Sequence, residues 1–544
     1  MNPAKILKAH EICIKSFLKM PKIYQMKDEF VLILGAGLMQ KPSIEAAGEL
    51  GYKTPVVDAN KNAVCVPFAD VFVQIDLKDR EKIADLAMSY GDKLKAVFTA
   101  GTDFSASVSY VAQKCGLISH SFEAAMNASN KVLMRKCFRE KGVPSPDFVE
   151  VSESEIETLS SDDSVLFPKV VKPVDNMGAR GCRLVRNKSE FEPALRDAVA
   201  FSRTGKAIVE DYMKGMEFSI DALVHEGNVT ITGFADRHIF FDPYFIEMGH
   251  TMPSSVSEAV KKNVVDVFVK GVKALGLTEG VAKGDVKYTE KGAMIGEIAG
   301  RLSGGYMSGW TYPYASGVNL TMEAMKIALG LGKTLPSEIE CNAVSHERAF
   351  ISIPGVVSVI YGEDKAVASP FVKNVFFRVK EGSRVDFPRN NVEKCGNVIS
   401  RCADRRLSLK GAEMAVSEIV LRLEKNNEST QNYLMGVENK YEKGFPYSAY
   451  ELSSDELIAF EKEVESLDSV IIGENESIVI PESLASFAGE RQDFNYRTIL
   501  NTLDKVNKYA GARKSVPAIK FWKSLIRGGV QGALYAVDTW GTEC

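Results

Sequence analysis

Two acidic residues, Asp285 and Glu297, stand in hydrophobic surroundings on either side of the turn-prone stretch Tyr288-Thr289-Glu290-Lys291-Gly292. Val281 and Ala282 precede the first acid, and Met294, Ile295 and Ile298 surround the second, so the pattern reads as a β-hairpin. That hairpin constrains the fold strongly, because it places both carboxylates on adjacent strands, pointing the same way. A hard divalent cation such as Mg²⁺ takes oxygen ligands and is usually held by one or two carboxylates together with phosphate. Arg301 follows at once in Gly296-Glu297-Ile298-Ala299-Gly300-Arg301-Leu302-Ser303-Gly304-Gly305, and a guanidinium grips a phosphoryl group bidentately. Taken alone, the same residues also describe a solvated hairpin with scattered charges.

The chain upstream favours phosphate. Val170-Val171-Lys172-Pro173 is a strand end that delivers one lysine, and Asn176-Met177-Gly178-Ala179-Arg180-Gly181 is a glycine-bearing loop beside it. Glycines let backbone N–H groups turn toward phosphate oxygens, and the ammonium adds a point charge. From Ala207 to Ile220 a hydrophobic strand, a turn at Lys214-Gly215 and a second strand carry Glu210 and Glu217, acids at both ends of the turn that could meet adenine and ribose.

The ordered series Lys131, Lys172, Gly178 to Gly181, Glu210, Glu217, Asp285, Glu297 and Arg301 closely resembles the ATP-grasp superfamily of carboxylate–amine and carboxylate–thiol ligases, over roughly the first four-fifths of the chain. The resemblance implies that Lys131 and Lys172 contact the nucleotide phosphates under a loop of Met177, Gly178, Ala179 and Gly181. It implies that Glu210 and the backbone of Asp211 and Met213 hold adenine, Glu217 holds the ribose, and Asp285 with Glu297 holds Mg²⁺, with Mn²⁺ as an alternative. Lys172 and Arg301 become the catalytic residues. One departure stands out: many members carry Glu-x-Asn-x-Arg, and here Ala299 replaces the asparagine, which removes a potential metal ligand. Glu247-Met248-Gly249-His250-Thr251-Met252-Pro253 further resembles L-amino-acid (dipeptide) ligases. By that likeness Glu247 and His250 contact the substrates, with Arg301 and Gly304 near the reacting carboxylate.

The expected fold is α/β with α+β lobes. An N-terminal helical extension (1–28) precedes an open α/β domain (29–127), and the two-lobed ATP-grasp domain (128–335) has its lid lobe at about 128–205. A β-rich lobe (336–425) follows, and then an appended, mainly helical region (426–544) of unknown role. The first strand, Phe30 to Leu34, leads into Gly35-Ala36-Gly37-Leu38-Met39-Gln40, half of a dinucleotide fingerprint with Gln40 at the third glycine, so NAD is not expected. Asp103 lies just past the strand Lys95 to Thr99, where α/β ligands sit, and reads either as a substrate contact or as a helix N-cap. A helix from about Asn130 to Lys141 carries Lys131 and stops at Gly142, Pro144 and Pro146. Further helices are expected over Lys410 to Leu423 and Asp493 to Tyr509, with a polar linker from Glu424 to Ser429.

At 544 residues, 45% of them hydrophobic, the chain has material for several cores. A net charge of −4 gives no electrostatic reason to expect nucleic acid. No long apolar run indicates a membrane segment, and the 9 cysteines show no Cys-x-x-Cys, as in a cytoplasmic protein with reduced thiols. The partners expected are therefore a small carboxylate and a small amine, and a homodimer is an option. The competing readings are a bicarbonate-using carboxylase component, though no Met-Lys-Met carrier motif occurs, and a non-catalytic ATP-binding protein.

Overall fold

The computed structural model describes residues 27–335, 339–436 and 448–544, so the helical extension expected over 1–28 lies almost wholly outside the described residues. The first sheet contains β1 (Phe30–Leu34), β2 (Pro55–Asp58), β3 (Val71–Gln74) and β4 (Leu94–Phe98), all parallel, in the order β3-β2-β1-β4. β1 is apolar throughout and Val31 to Leu34 are fully buried, as a parallel strand covered on both faces requires. Beyond β1 the Gln40 side chain folds back over Gly35 and donates to the Ala100 carbonyl, so the place of a third fingerprint glycine is filled.

The next sheet contains β5 (Phe148–Ser152), β6 (Lys169–Pro173), β7 (Arg183–Val185) and β8 (Lys206–Asp211), antiparallel in the order β5-β8-β6-β7. The helix Lys188–Phe201, capped by Asn187, covers it with Phe191, Ala194 and Leu195. The Asn130-capped helix Lys131–Lys141 ends at Gly142 in the left-handed conformation, as its stop signals predict.

Eleven further strands follow in order: β9 (Gly215–His225), β10 (Asn228–Phe240), β11 (Ile246–Met252), β12 (Gly280–Thr289), β13 (Gly292–Ala299), β14 (Val344–Phe350), β15 (Gly355–Tyr361), β16 (Val372–Phe377), β17 (Arg384–Val385), β18 (Gly396–Cys402) and β19 (Val420–Leu423). Eight of them form one sheet, β13-β12-β9-β10-β11-β14-β18-β16. The helix Glu258–Ala274 packs on its back, where Phe268 and Val272 meet Phe218, Ile295 and Ile298. Gly249 of β11 pairs with Arg348 of β14, so this sheet runs without a break into the C-terminal lobe.

The helix expected over Lys410 to Leu423 is instead Arg405–Glu418, followed by β19. Asp404 starts it early by accepting from Leu407 N at 2.9 Å, and Ile360↔Leu421 pairing with β15 draws the apolar run after Glu418 into a strand. Tertiary pairing overrides a weak local preference there. The expected linker is also structured: Asn427 caps the helix Glu428–Met435, whose Tyr433 and Leu434 pack with Ile353 and Tyr535. Asp493 to Arg497 form a buried turn, and the helix starts only at Ile499.

The last residues supply β20 (Ser469–Ile472), β21 (Lys514–Pro517) and β22 (Thr542–Glu543), and the helical stretch Ala518–Trp540, kinked at Gly529, where the backbone is non-helical, and buried along most of its length. This block is bolted to the preceding lobe. Arg422 Nε donates to Asp538 Oδ2 at 2.7 Å, and Asn495 makes two 3.0 Å bonds with the Ile351 backbone. Among the described residues all eight cysteines are unpaired, and no helix is long and apolar enough to cross a membrane.

Candidate active site

A cavity of about 340 Å³, within the usual range for ligand pockets, opens between the lid sheet, the large sheet and the turn after β13. Its floor follows from the period of two along a strand. Asp221, Ser219 and Glu217 of β9 pair with Lys283, Asp285 and Lys287 of β12, and Asp285 and Lys283 pair in turn with Glu297 and Ala299 of β13. Asp285 and Glu297 are therefore direct cross-strand neighbours. Ala299, the departure from the Glu-x-Asn-x-Arg pattern, stands opposite Lys283 in the register, and the Lys283 ammonium bonds Asp285.

Charges are dense here. Lys283 Nζ donates to Asp285 Oδ2, and Ser219 Oγ donates to Asp285 Oδ1 at 3.3 Å. Lys131, which is buried, donates to the Asn176 carbonyl at 2.8 Å and lies 3.7 Å from Glu297 Oε1. Burial works against the charged form of Glu297, but Lys131, Lys283, Lys172 and Arg301 outweigh it and bring its pKa down to about 2. Burial likewise opposes ionised Asp285, and Arg237 with Lys283 lowers it overall. Both acids are thus carboxylates at neutral pH. Among the described residues no group of three His, Cys, Asp or Glu side chains could hold an ion alone. Two facing carboxylates suit a Mg²⁺ that takes its other ligands from phosphate and water.

Glu210 is closed in by two cations, with Arg135 Nε at 2.9 Å and Lys172 Nζ at 2.7 Å. Its carboxylate positions Lys172 toward the cavity. The loop from Met177 to Ala179 covers this end, and the Gly178 carbonyl accepts from Asn391 N at 2.9 Å, which ties the loop to the C-terminal lobe. Gly178 has φ +68°, in the left-handed region that glycine adopts freely. Tyr212, Met213 and Phe245 add an apolar wall, and Glu217 meets Lys287 at 3.3 Å.

At the other end Glu247 and His250 line the same cavity with Arg301, Gly304 and Gly305. Arg237 lies between the two ends, its Nε 2.9 Å from Glu247 Oε2 and its Nη1 3.7 Å from Asp285 Oδ2 and 3.8 Å from Glu217 Oε2. Burial would raise the Glu247 carboxyl, but His250, Arg237, Lys394 and Lys283 hold it well below the ordinary range. Arg301 Nη1 donates to the Leu302 carbonyl at 3.2 Å, while its buried Nε has no hydrogen-bond partner, a donor left over for a ligand.

Of the expected site residues, two stand apart from the cavity wall. Gly181 faces Phe201 and Pro173, so a side chain there would strike the lid core. Asp103 sits behind Arg301 at 3.9 Å, and the cap position of the following helix belongs to Phe104. Arg237, Lys283 and Lys287 were missed, as were Arg378, Asn391 and Lys394 from the C-terminal lobe, and so was Arg135, which stands behind Glu210.

The fold and the cavity together define an ATP-grasp architecture. Residues 165–309 match the ATP-grasp domain and residues 349–424 match the L-amino acid ligase C-terminal domain 2, so the chain carries both. Human carnosine synthase 1 is 24% identical over 339 residues, covering 57% of this chain and 41% of that protein. The chain thus spans less than half the length of that relative. An uncharacterised protein, y4rH, from Sinorhizobium fredii is 23% identical over 60% of this chain and 68% of its own. Among solved structures, an L-amino acid ligase from Bacillus licheniformis superposes with a TM-score of 0.64 at 20% identity, over 74% of this chain and 100% of that one. The biotin carboxylase domain of Hydrogenobacter thermophilus 2-oxoglutarate carboxylase gives 0.57 at 20% identity, over 74% and 92%.

Proposed function

We propose that this protein is an ATP-dependent carboxylate–amine ligase that joins an amino acid, or a similar carboxylate, to an amine through an acyl phosphate, releasing ADP and phosphate. The observation that carries the reading is Arg237: one guanidinium separates a phosphate-facing end, with Asp285, Glu297, Lys131 and Lys172, from a substrate-facing end, with Glu247 and His250. Lys131 and Lys172 bind the ATP phosphates, and Glu217 faces the ribose. Asp285 and Glu297 hold Mg²⁺, or Mn²⁺ in its place, which supplies charge neutralisation to the phosphates. Arg301 orients the carboxylate and stabilises the charge spread over the transferring phosphoryl group. The loop from Met177 to Ala179 keeps water from the acyl phosphate. The unpaired thiols accord with a cytoplasmic setting.

ADP release measured against a panel of amino acids, singly and in pairs, with bicarbonate as the contrast, tests the reading. Amino-acid pairs should drive ADP release and yield a condensed product by mass spectrometry. If bicarbonate alone drives it, the protein is a carboxylase component and the ligase reading falls.

A further inference from the structure

Asp221 is a buried carboxylate that the chemistry proposed above leaves unused. It lies on β9, between β10 and β12 in the large sheet, and is 1% exposed. Its cross-strand neighbour Lys283 gives its ammonium to Asp285 instead. Two hydroxyls serve Asp221: Ser303 Oγ donates to Oδ1, and Ser308 Oγ donates to Oδ2 at 2.5 Å. Both oxygens accept, as those of an ionised carboxyl do. Burial pushes this carboxyl up, and the two serines with Lys283 and Arg301 pull against it. An apolar side chain would fill the place at lower cost, so the two serine bonds are what the carboxylate adds.

The serines bracket the turn Ser303-Gly304-Gly305-Tyr306-Met307-Ser308, of which Gly304, Gly305 and Met307 line the cavity. Gly305 and Tyr306 both lie in the left-handed region, at φ +59° and +64°. A tyrosine takes that conformation only where its surroundings impose it. Here the ring stacks on Phe376, with centroids 4.5 Å apart, and the Tyr306 carbonyl accepts from Thr311 N at 2.9 Å. The turn has no slack, because a Cβ on Gly305 would lie 2.9 Å from Glu247 Oε1. Asp221, Ser303 and Ser308 themselves stand behind the cavity wall.

We propose that Asp221 is the positioning residue of the substrate-facing end: by clamping both ends of this turn to β9, it sets the distance from the substrate carboxylate to Asp285 and Glu297. The proposal rests on the ligase reading above. Ser219, two residues earlier on β9, bonds Asp285 at 3.3 Å, so one strand carries both the phosphate-facing floor and the anchor of the turn. Arg301, two residues before Ser303, enters the cavity from the same segment and shares its position.

Hydroxylamine captures an acyl phosphate as a hydroxamate, its nitrogen forming the C–N bond as the C–O bond to phosphate breaks. It therefore reads activation of the carboxylate without the second substrate. The test compares the full-length wild type, Asp221→Asn and Ser308→Ala with ATP, Mg²⁺, hydroxylamine and the most active amino acid of the panel above, with ATP affinity by calorimetry. Asp221→Asn keeps one acceptor oxygen and should lose about tenfold to a hundredfold in kcat/KM for the amino acid, as misplaced reacting groups do, while ATP affinity stays within about twofold. Ser308→Ala should lose less in the same direction. The double variant should lose no more than Asp221→Asn alone, because Ser308 acts only through Asp221. Should Asp221→Asn fail to fold, as its melting curve would show, Ser303→Ala and Ser308→Ala carry the comparison. Folded variants that melt earlier yet keep the wild-type kcat/KM give Asp221 a purely structural role and overturn the proposal, as does an equal loss of ATP affinity. Absence of any amino-acid-dependent hydroxamate in the wild type would instead overturn the ligase reading, and the same split would then be read from the KM for bicarbonate.

Discussion

Arg237 is the residue on which the charge balance of the cavity turns. It is half-buried among Glu217, Glu247 and Asp285, and it shares their compensation with Lys287, Lys394 and Lys283. Removing one partner of a buried ionic cluster leaves uncompensated charge, at a cost of about 3–5 kcal/mol. Arg237→Met should lower stability by that order at neutral pH. The sign of its pH dependence is also fixed. In the wild type Glu247 and Asp285 titrate below their ordinary range, so their pairing contributes stability above that range, and it is lost as the pH falls through the lowered folded values. In the variant His250, Lys394 and Lys283 still act on these carboxyls, so their pKa values should rise toward the ordinary range, and the gap to wild type should narrow as the pH falls through that range. Melting curves at neutral and mildly acid pH check this, and an unchanged gap refutes it. Glu297→Gln should bring turnover to background with the fold intact, because it removes a charge proposed to hold the metal at constant volume. Full ADP production by a purified Glu297→Gln protein would remove Glu297 from the metal site.

At the scale of elements, the lid gives the sharpest prediction. Gly178 has positive φ and a Cβ there would lie 3.5 Å from Val392, so Gly178→Val strains the backbone by about 1–3 kcal/mol and crowds the loop. The apparent KM for ATP should rise about tenfold or more while melting temperature changes little. Unchanged nucleotide affinity by calorimetry would make the loop an ordinary turn. The hairpin was legible in advance because apolar residues flank both acids and a turn separates them. The same alternation would have exposed Lys283 and Lys287, each two residues from Asp285, and Ser219 and Asp221 beyond Glu217. Arg135 could have been found one helical turn after Lys131, on the same face. Arg237, Arg378, Asn391 and Lys394 could not. They reach the cavity through strand pairing and loops distant in the chain, and no local spacing announces them. The helix expected at Lys410 to Leu423 failed for the same reason, since only the partner strand β15 decides the fate of Val420 to Leu423.

For the molecule as a whole, the last block of the chain is structural to the C-terminal lobe. Its core contains Val420 of β19, fully buried Trp522 and the apolar face of the helix Ala518–Trp540. Truncation after Gly436 would expose that surface and remove the Asp538 partner of Arg422. Such a protein should aggregate or lose cooperative unfolding, whereas the full chain should show loss of the Trp522 environment together with the C-terminal lobe in fluorescence-detected melting. A truncated protein that melts cooperatively at the wild-type temperature would contradict this. The unbroken eight-stranded sheet has a consequence for synthesis. When Ala299 leaves the ribosome both Asp285 and Glu297 exist, yet β14, β18 and β16, the strands that complete their sheet, are still to be translated. The nascent chain must wait with the free edge of β11 unpaired, and such edges recruit other chains. Chaperone demand should therefore peak in the interval before Phe350 emerges, and a slowly translated stretch within it would lengthen the exposure of that edge.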